Sequence, residues 1–102
     1  MKSYKRIEAV RKAGEILKYL ANEKDATGSP KIAAAVGLPI GTAMCHLITL
    51  EELGFVVSVG ENWRLGMGLA LIWARVKSAL EGQREQIDKH LEALTEGGTN
   101  GE

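Results

Sequence analysis

The sequence predicts a mainly α-helical domain with one small β-hairpin, continued at its C-terminal end by a helical extension. Three observations predict it. Helix start and stop signals bracket two short apolar segments, residues 29–37 and 39–54, with only a few residues between them. A β-branched and aromatic run, residues 55–59, leads through Gly60-Glu61-Asn62 into Trp63-Arg64-Leu65. From Met67 onward, apolar residues return every seven positions.

The first helix is signalled by Ile7, Val10, Ala13/Gly14, Leu17 and Leu20, whose steps of three and four place them on one stripe. Opposite charges one turn apart, Glu8 with Lys12 and Arg11 with Glu15, sit on its polar side. Asn22 to Gly28 reads as a loop. The second helix opens with Ser29 as its cap and Pro30 in its first turn, and Gly37 ends it. Its alanine run lets another helix approach closely. The third runs from about Pro39 to Leu53, with Gly54 as its stop and Ala43, Leu47 and Leu50 on one face. Two short helices joined by so tight a turn predict a helix-turn-helix. The hairpin follows directly, with Trp63 as an anchor beneath it and Gly66-Met67-Gly68 as its junction to the next helix.

In that last segment Trp73, Leu80, Ile87 and Leu94 form a heptad-like seam, filled by Val76, Gln83 and His90, with Leu91 adding to the apolar side. Gly82 lies inside it, so one long helix and two helices meeting near Gly82 both fit. A small domain cannot easily cover this face. The surplus predicts a homodimer through Trp73, Val76, Leu80, Ile87, Leu91 and Leu94, the alternative being a fold back onto the first helix. The organisation expected is a winged helix-turn-helix domain over 1–66, a dimerisation helix over 67–96 and a disordered end at 97–102.

At 102 residues and 11.0 kDa the chain has room for one cooperative domain. Thirteen basic residues balance thirteen acidic ones, which excludes a strongly basic coat. The balance hides an asymmetry: residues 1–24 carry a surplus of +4 and residues 76–102 a surplus of −3. A single cysteine excludes an intrachain disulfide framework and fits a reducing compartment. No apolar run approaches the ~18–20 residues of a membrane span, and the basic N-terminus lacks the apolar core of a secretory signal. A cytoplasmic protein is therefore expected.

Leu38-Pro39, Thr42, Leu47, Thr49-Leu50-Glu51, Gly54-Phe55-Val56 and Arg64-Leu65-Gly66 stand in one register. In them, over residues 6–72, the chain resembles the DNA-binding domain of isocitrate-lyase-regulator (IclR-type) transcription factors. The resemblance implies a winged helix that binds operator DNA as a dimer. Full-length members also carry a large effector-binding domain. The chain ends too early for one, so a stand-alone regulator without a small-molecule effector is expected. The third helix departs from the family pattern: Ile40, Gly41, Thr42, Ala43, Met44 and Cys45 stand where basic and polar residues are usual, and His46 where an apolar one is.

With Ala43, Leu47 and Leu50 inward, the third helix turns Gly41, Cys45, Ile48 and Glu52 outward, flanked by Thr42, Met44 and Thr49. Base reading in a major groove normally uses Arg, Lys, Asn or Gln, and none is on this face. Thr42 and Thr49 can touch phosphate or base edges; Met44 and Ile48 can touch thymine methyls. Phosphate affinity then falls to Lys2, Lys5 and Arg6, to Lys31 and Arg64, and to the free N–H groups of helix N-termini. Glu61 at the hairpin tip, on a very short wing, argues against deep minor-groove insertion. The alternative is a protein-binding module that uses the apolar outward face of residues 41–52.

No catalytic or metal constellation is visible. Cys45 and His46 are neighbours and point about 100° apart, which defeats a nucleophile–base pair. Two histidines and one cysteine fall short of a four-ligand zinc site. Gly66-Met67-Gly68 lacks the spacing of a dinucleotide fingerprint. Neither enzyme activity nor a cofactor is expected.

Overall fold

A computed structural model describes residues 3–100, with side chains for residues 3–94. Lys2 and the expected disordered end at 97–102 fall outside the fully described residues. The element order is α1 (Glu8–Ala21), β1 (Thr27–Gly28), α2 (Ser29–Val36), α3 (Ile40–Glu52), β2 (Val56–Val59), β3 (Asn62–Leu65) and α4 (Gly68–Asn100). The chain divides into two units, Met1–Leu69 and Ala70–Glu102. The structure is mainly helical, with a small antiparallel sheet and a long C-terminal helix, and so bears out the predicted class of a mainly α domain with a small β element and a helical extension.

The first unit is built on a core of Ile16, Leu20, Ile32, Val36, Leu47, Leu50, Val56 and Trp63. Each of α1, α2, α3 and the sheet contributes two of these residues. Fully burying one such aliphatic side chain stabilises the fold by about 1.5–3 kcal/mol. In α3 the buried set is Ala43, Leu47 and Leu50, as the periodicity predicts. In α1 the phase differs. Ile16 and Leu20 are buried, Ala13 and Leu17 only pack against the core, and Ile7 and Val10 are about two-thirds exposed. The first helix carries two adjoining apolar stripes, and the one running back from Leu20 through Ile16 is the one that α2, α3 and the sheet cover.

Between α2 and α3 the chain bends by 104°, within the range of helix-turn-helix pairs. Gly37 makes the bend possible: it takes a left-handed φ of 71° at the end of α2, a conformation that side-chain-bearing residues avoid. Lys12 reinforces the same point from α1. Its ammonium donates to the Val36 carbonyl at 2.5 Å and pairs with Glu15 at 3.2 Å. At the other end of α2 the cap is Gly28, not Ser29; Ser29 is the first helical residue, and no side chain caps this terminus.

The sheet has three strands in the order β1-β3-β2 rather than the two of a hairpin. Thr27 and Gly28 pair with Trp63 and Asn62, so part of the expected loop is an edge strand. Thr27 is buried and donates its hydroxyl to the Asp25 carbonyl. Across the other edge, Val57 faces Arg64 and Ser58 faces Trp63. Side chains alternate between the faces of the sheet. Trp63 therefore turns into the core and Arg64 turns out. Gly60, at a positive φ, opens the two-residue turn between β2 and β3.

Leaving the sheet, the chain crosses close beneath the end of α3. Gly66 donates to the Phe55 carbonyl and Gly68 to the Gly54 carbonyl, both at 2.9 Å. A Cβ at Gly68 would stand 2.6 Å from the Gly54 oxygen and 2.8 Å from its carbonyl carbon. The junction therefore requires glycine for close backbone approach.

In the second unit α4 runs through Gly82 as one helix, without a break. Along it Trp73 is 60 %, Leu80 55 %, Ile87 60 % and Leu94 60 % exposed. No single helix among the described residues is long and apolar enough to cross a membrane.

Candidate nucleic-acid interface

The sequence of α3 decides which of its sides is available. Ala43, Leu47 and Leu50 hold it against the core, which leaves Gly41, Thr42, Cys45, Ile48, Thr49 and Glu52 exposed. Ile40, at its first turn, is also half-exposed. Pro39 is the N-cap, so the helix starts at Ile40 and its first turn places that side chain on the surface.

The two flanks of this face differ. On the wing side, Met44 is partly buried against the core and borders a hollow of about 430 Å³ with Ser29, Pro30, Glu61, Asn62 and Trp63. Met44 is only partly exposed, whereas Ile48, one turn further along the same stripe, is open to solvent. Glu51, on the same flank, accepts a hydrogen bond from Ser58 of β2 at 2.9 Å. This contact ties α3 to the wing.

On the other flank lies an apolar groove of about 590 Å³ between α1 and α3, bordered by Val10, Leu17, His46, Leu50, Leu53 and Phe55. The sequence held one signal of it, the Ile7–Val10 stripe that the core does not use. Cys45 and Thr49 also border this groove, so they stand at the edge of the outward face. His46 lies deeper. Its Nδ1 is 2.8 Å from the Thr42 carbonyl, and a carbonyl only accepts, so the proton of that bond sits on Nδ1. Its Nε2 is enclosed without a partner among the described residues.

Hydroxyl groups are divided between local and outward use. Thr49 Oγ1 donates to the Cys45 carbonyl at 2.8 Å, a bond back along its own helix. Thr42 makes no side-chain hydrogen bond among the described residues. The cations Lys5, Arg6, Lys31 and Arg64 are all exposed, and none forms an ion pair among the described residues. Lys31 stands in the first turn of α2, next to the Asn22–Gly28 segment. Arg64 stands on the outer face of the sheet, with Val57 opposite. The structure thus places Gly41, Thr42, Cys45, Ile48 and Thr49 on one exposed side of α3, and Lys31 and Arg64 on neighbouring elements.

A sequence profile of the IclR helix-turn-helix domain matches residues 9–60, half of the chain, from the first turn of α1 to the wing turn. The chain belongs to the IclR helix-turn-helix family. An IclR domain of this kind is a DNA-binding transcriptional regulator and not an enzyme. The matched residues include all of α2 and α3. Comparison with curated proteins finds no match. No group of three or more His, Cys, Asp or Glu that could hold a metal ion occurs among the described residues of this IclR domain.

Proposed function

We propose that this IclR-type domain works as a cytoplasmic homodimer that lays the exposed side of α3 in the major groove of duplex DNA. The observation that carries the reading is the sidedness of α3: its core face is sealed, and its Gly41–Thr42–Ile48 side is open at the end of a helix-turn-helix bent by 104°. Thr42 approaches base edges or phosphate, Thr49, whose proton goes to the Cys45 carbonyl, only accepts from base edges, and Cys45 lies at the margin of the interface. Lys31 and Arg64 supply phosphate contacts from α2 and the wing, and the free N–H groups at the start of α3 add to them. Two copies join through the α4 seam of Trp73, Val76, Leu80 and Ile87. This spacing, with more than four-tenths of each side chain exposed, is that of a helix awaiting a partner helix.

Salt dependence is the test. Each phosphate neutralised contributes about −0.9 to the slope of log affinity against log salt. Lys31→Ala or Arg64→Ala should weaken binding to mixed duplexes, measured by fluorescence anisotropy. Each should also flatten that slope by about 0.9 for every phosphate left without its cation. Unchanged affinity and slope in both variants would remove these assignments. A second reading, favoured by half-exposed Ile40 and Ile48, makes the same side a protein-docking face. It predicts no duplex binding even at low salt.

A further inference from the structure

We propose that α3 selects its DNA by the C5-methyl groups of thymine, with Ile48 as the specificity-determining residue. The inference rests on the reading of α3 as the helix that enters the major groove, and it names what that helix recognises there.

Four observations carry it. First, α3 holds no Arg, Lys, Asn or Gln. The bidentate pairing that reads guanine or adenine therefore has no donor set. Second, much of the polar inventory that α3 does hold is committed elsewhere. Thr49 donates to Cys45, His46 is bonded to the Thr42 carbonyl beside the α1 groove, and Glu51 is held by Ser58. Third, the side chain left standing in the middle of the open side is aliphatic: Ile48 is 49 % exposed, with Ile40 at 52 % nearer the N-terminal end. Fourth, Gly41, two turns before Ile48 on the same side, has open space where a Cβ would stand. Nothing at that position holds the helix away from the base pairs.

Base edges in the major groove offer amines, carbonyls, ring nitrogens and one apolar group, the thymine methyl. An aliphatic side chain pressed against guanine or cytosine edges covers polar atoms without bonding them, which disfavours those bases. Against a thymine methyl, the same side chain removes apolar surface from water on both partners. The transfer scale for one buried methyl-sized group corresponds to about fourfold in affinity per contacted thymine. Glu52, exposed one turn beyond Ile48, offers only acceptors. It adds no means of reading guanine.

The test uses the whole 102-residue chain and two alternating duplexes, one of A·T and one of A·U pairs. Their hydrogen-bonding edges are the same and only the methyl differs. Wild-type protein should bind the A·T duplex about fourfold or more tightly at equal salt. In Ile48→Ala this preference should collapse, with the melting temperature of the variant close to wild type because the side chain is exposed. Replacing cytosine by 5-methylcytosine in an alternating G·C duplex should strengthen wild-type binding by a similar factor. Equal binding to A·T and A·U, with a salt-dependent affinity for both, overturns methyl reading and leaves the DNA-binding reading standing. A preference that survives in Ile48→Ala overturns the assignment to Ile48. Absence of binding to every duplex at low salt overturns the reading beneath it as well.

Discussion

Alanine at position 68 sets two known effects against each other inside one residue. As the first residue of α4, Gly68 gains up to about 1 kcal/mol of helix propensity on replacement by alanine, and less at a terminus than mid-helix. Against this, the new methyl would sit 2.6 Å from the Gly54 oxygen, 2.8 Å from the Gly54 carbonyl carbon and 2.9 Å from Phe55 Cδ1. Two of these atoms are backbone and cannot turn aside. They belong to the residue whose left-handed φ of 81° ends α3, and whose carbonyl accepts the Gly68 N–H. Relieving the clash means separating the two stretches of backbone and lengthening that hydrogen bond. Overpacking of this kind costs about 1–3 kcal/mol. Sterics win, with a net loss of about 1–2 kcal/mol. For a domain of this size each kcal/mol lowers Tm by about 4–8 °C. Gly14→Ala is the control: Gly14 is mid-helix in α1, with nothing within 4 Å of its added Cβ. It should stabilise by up to about 1 kcal/mol. Thermal melts followed by circular dichroism should therefore move in opposite directions for the two alanines. A Gly68→Ala protein as stable as wild type would refute the close crossing of the wing exit beneath α3.

Two further outcomes follow from the same geometry. Lys12→Met keeps the aliphatic stem but removes the ammonium that donates to the Val36 carbonyl and pairs with Glu15; stability in chemical denaturation should fall by about 1–2 kcal/mol. A value indistinguishable from zero would mean that the α1–α2 tie does not matter. Leu80→Asp combined with Ile87→Asp should give a monomer by light scattering while the melting of the first unit is retained. A wild-type chain that is monomeric at high concentration removes the dimer directly.

The sequence made the helix-turn-helix legible because its punctuation is local. Gly37 and Gly54 are required by their own φ angles, and Ala43, Leu47 and Leu50 repeat at the helical period. Trp63 was legible as a core residue by size and by its alternation with Arg64. The remainder depends on neighbours distant in the chain. Thr27-Gly28 has no strand pattern of its own and becomes β1 only by pairing with Trp63 and Asn62. The phase of α1 was ambiguous because Ile7 and Val10 are as apolar as Ile16; which stripe is buried is settled by where α2, α3 and the sheet lie. Ser29 has the side chain of a cap, yet β1 runs straight into α2 and moves the boundary one residue earlier, onto Gly28. On α3 the outward side was legible from the wheel. The inward lean of Met44 toward the wing was not, because it depends on the hollow between β3 and the start of α2.

Central to the account is that DNA meets the Gly41–Thr42–Ile48 side of α3. Amide chemical shifts of the 15N-labelled chain, recorded as a duplex is added, measure this most directly. Gly41, Thr42, Cys45, Ile48 and Thr49 should shift together, with Lys31 and Arg64 following, while Val10 and Leu17 in the α1 groove stay in place. Shifts confined to that groove or to α4, with α3 unmoved, would contradict it.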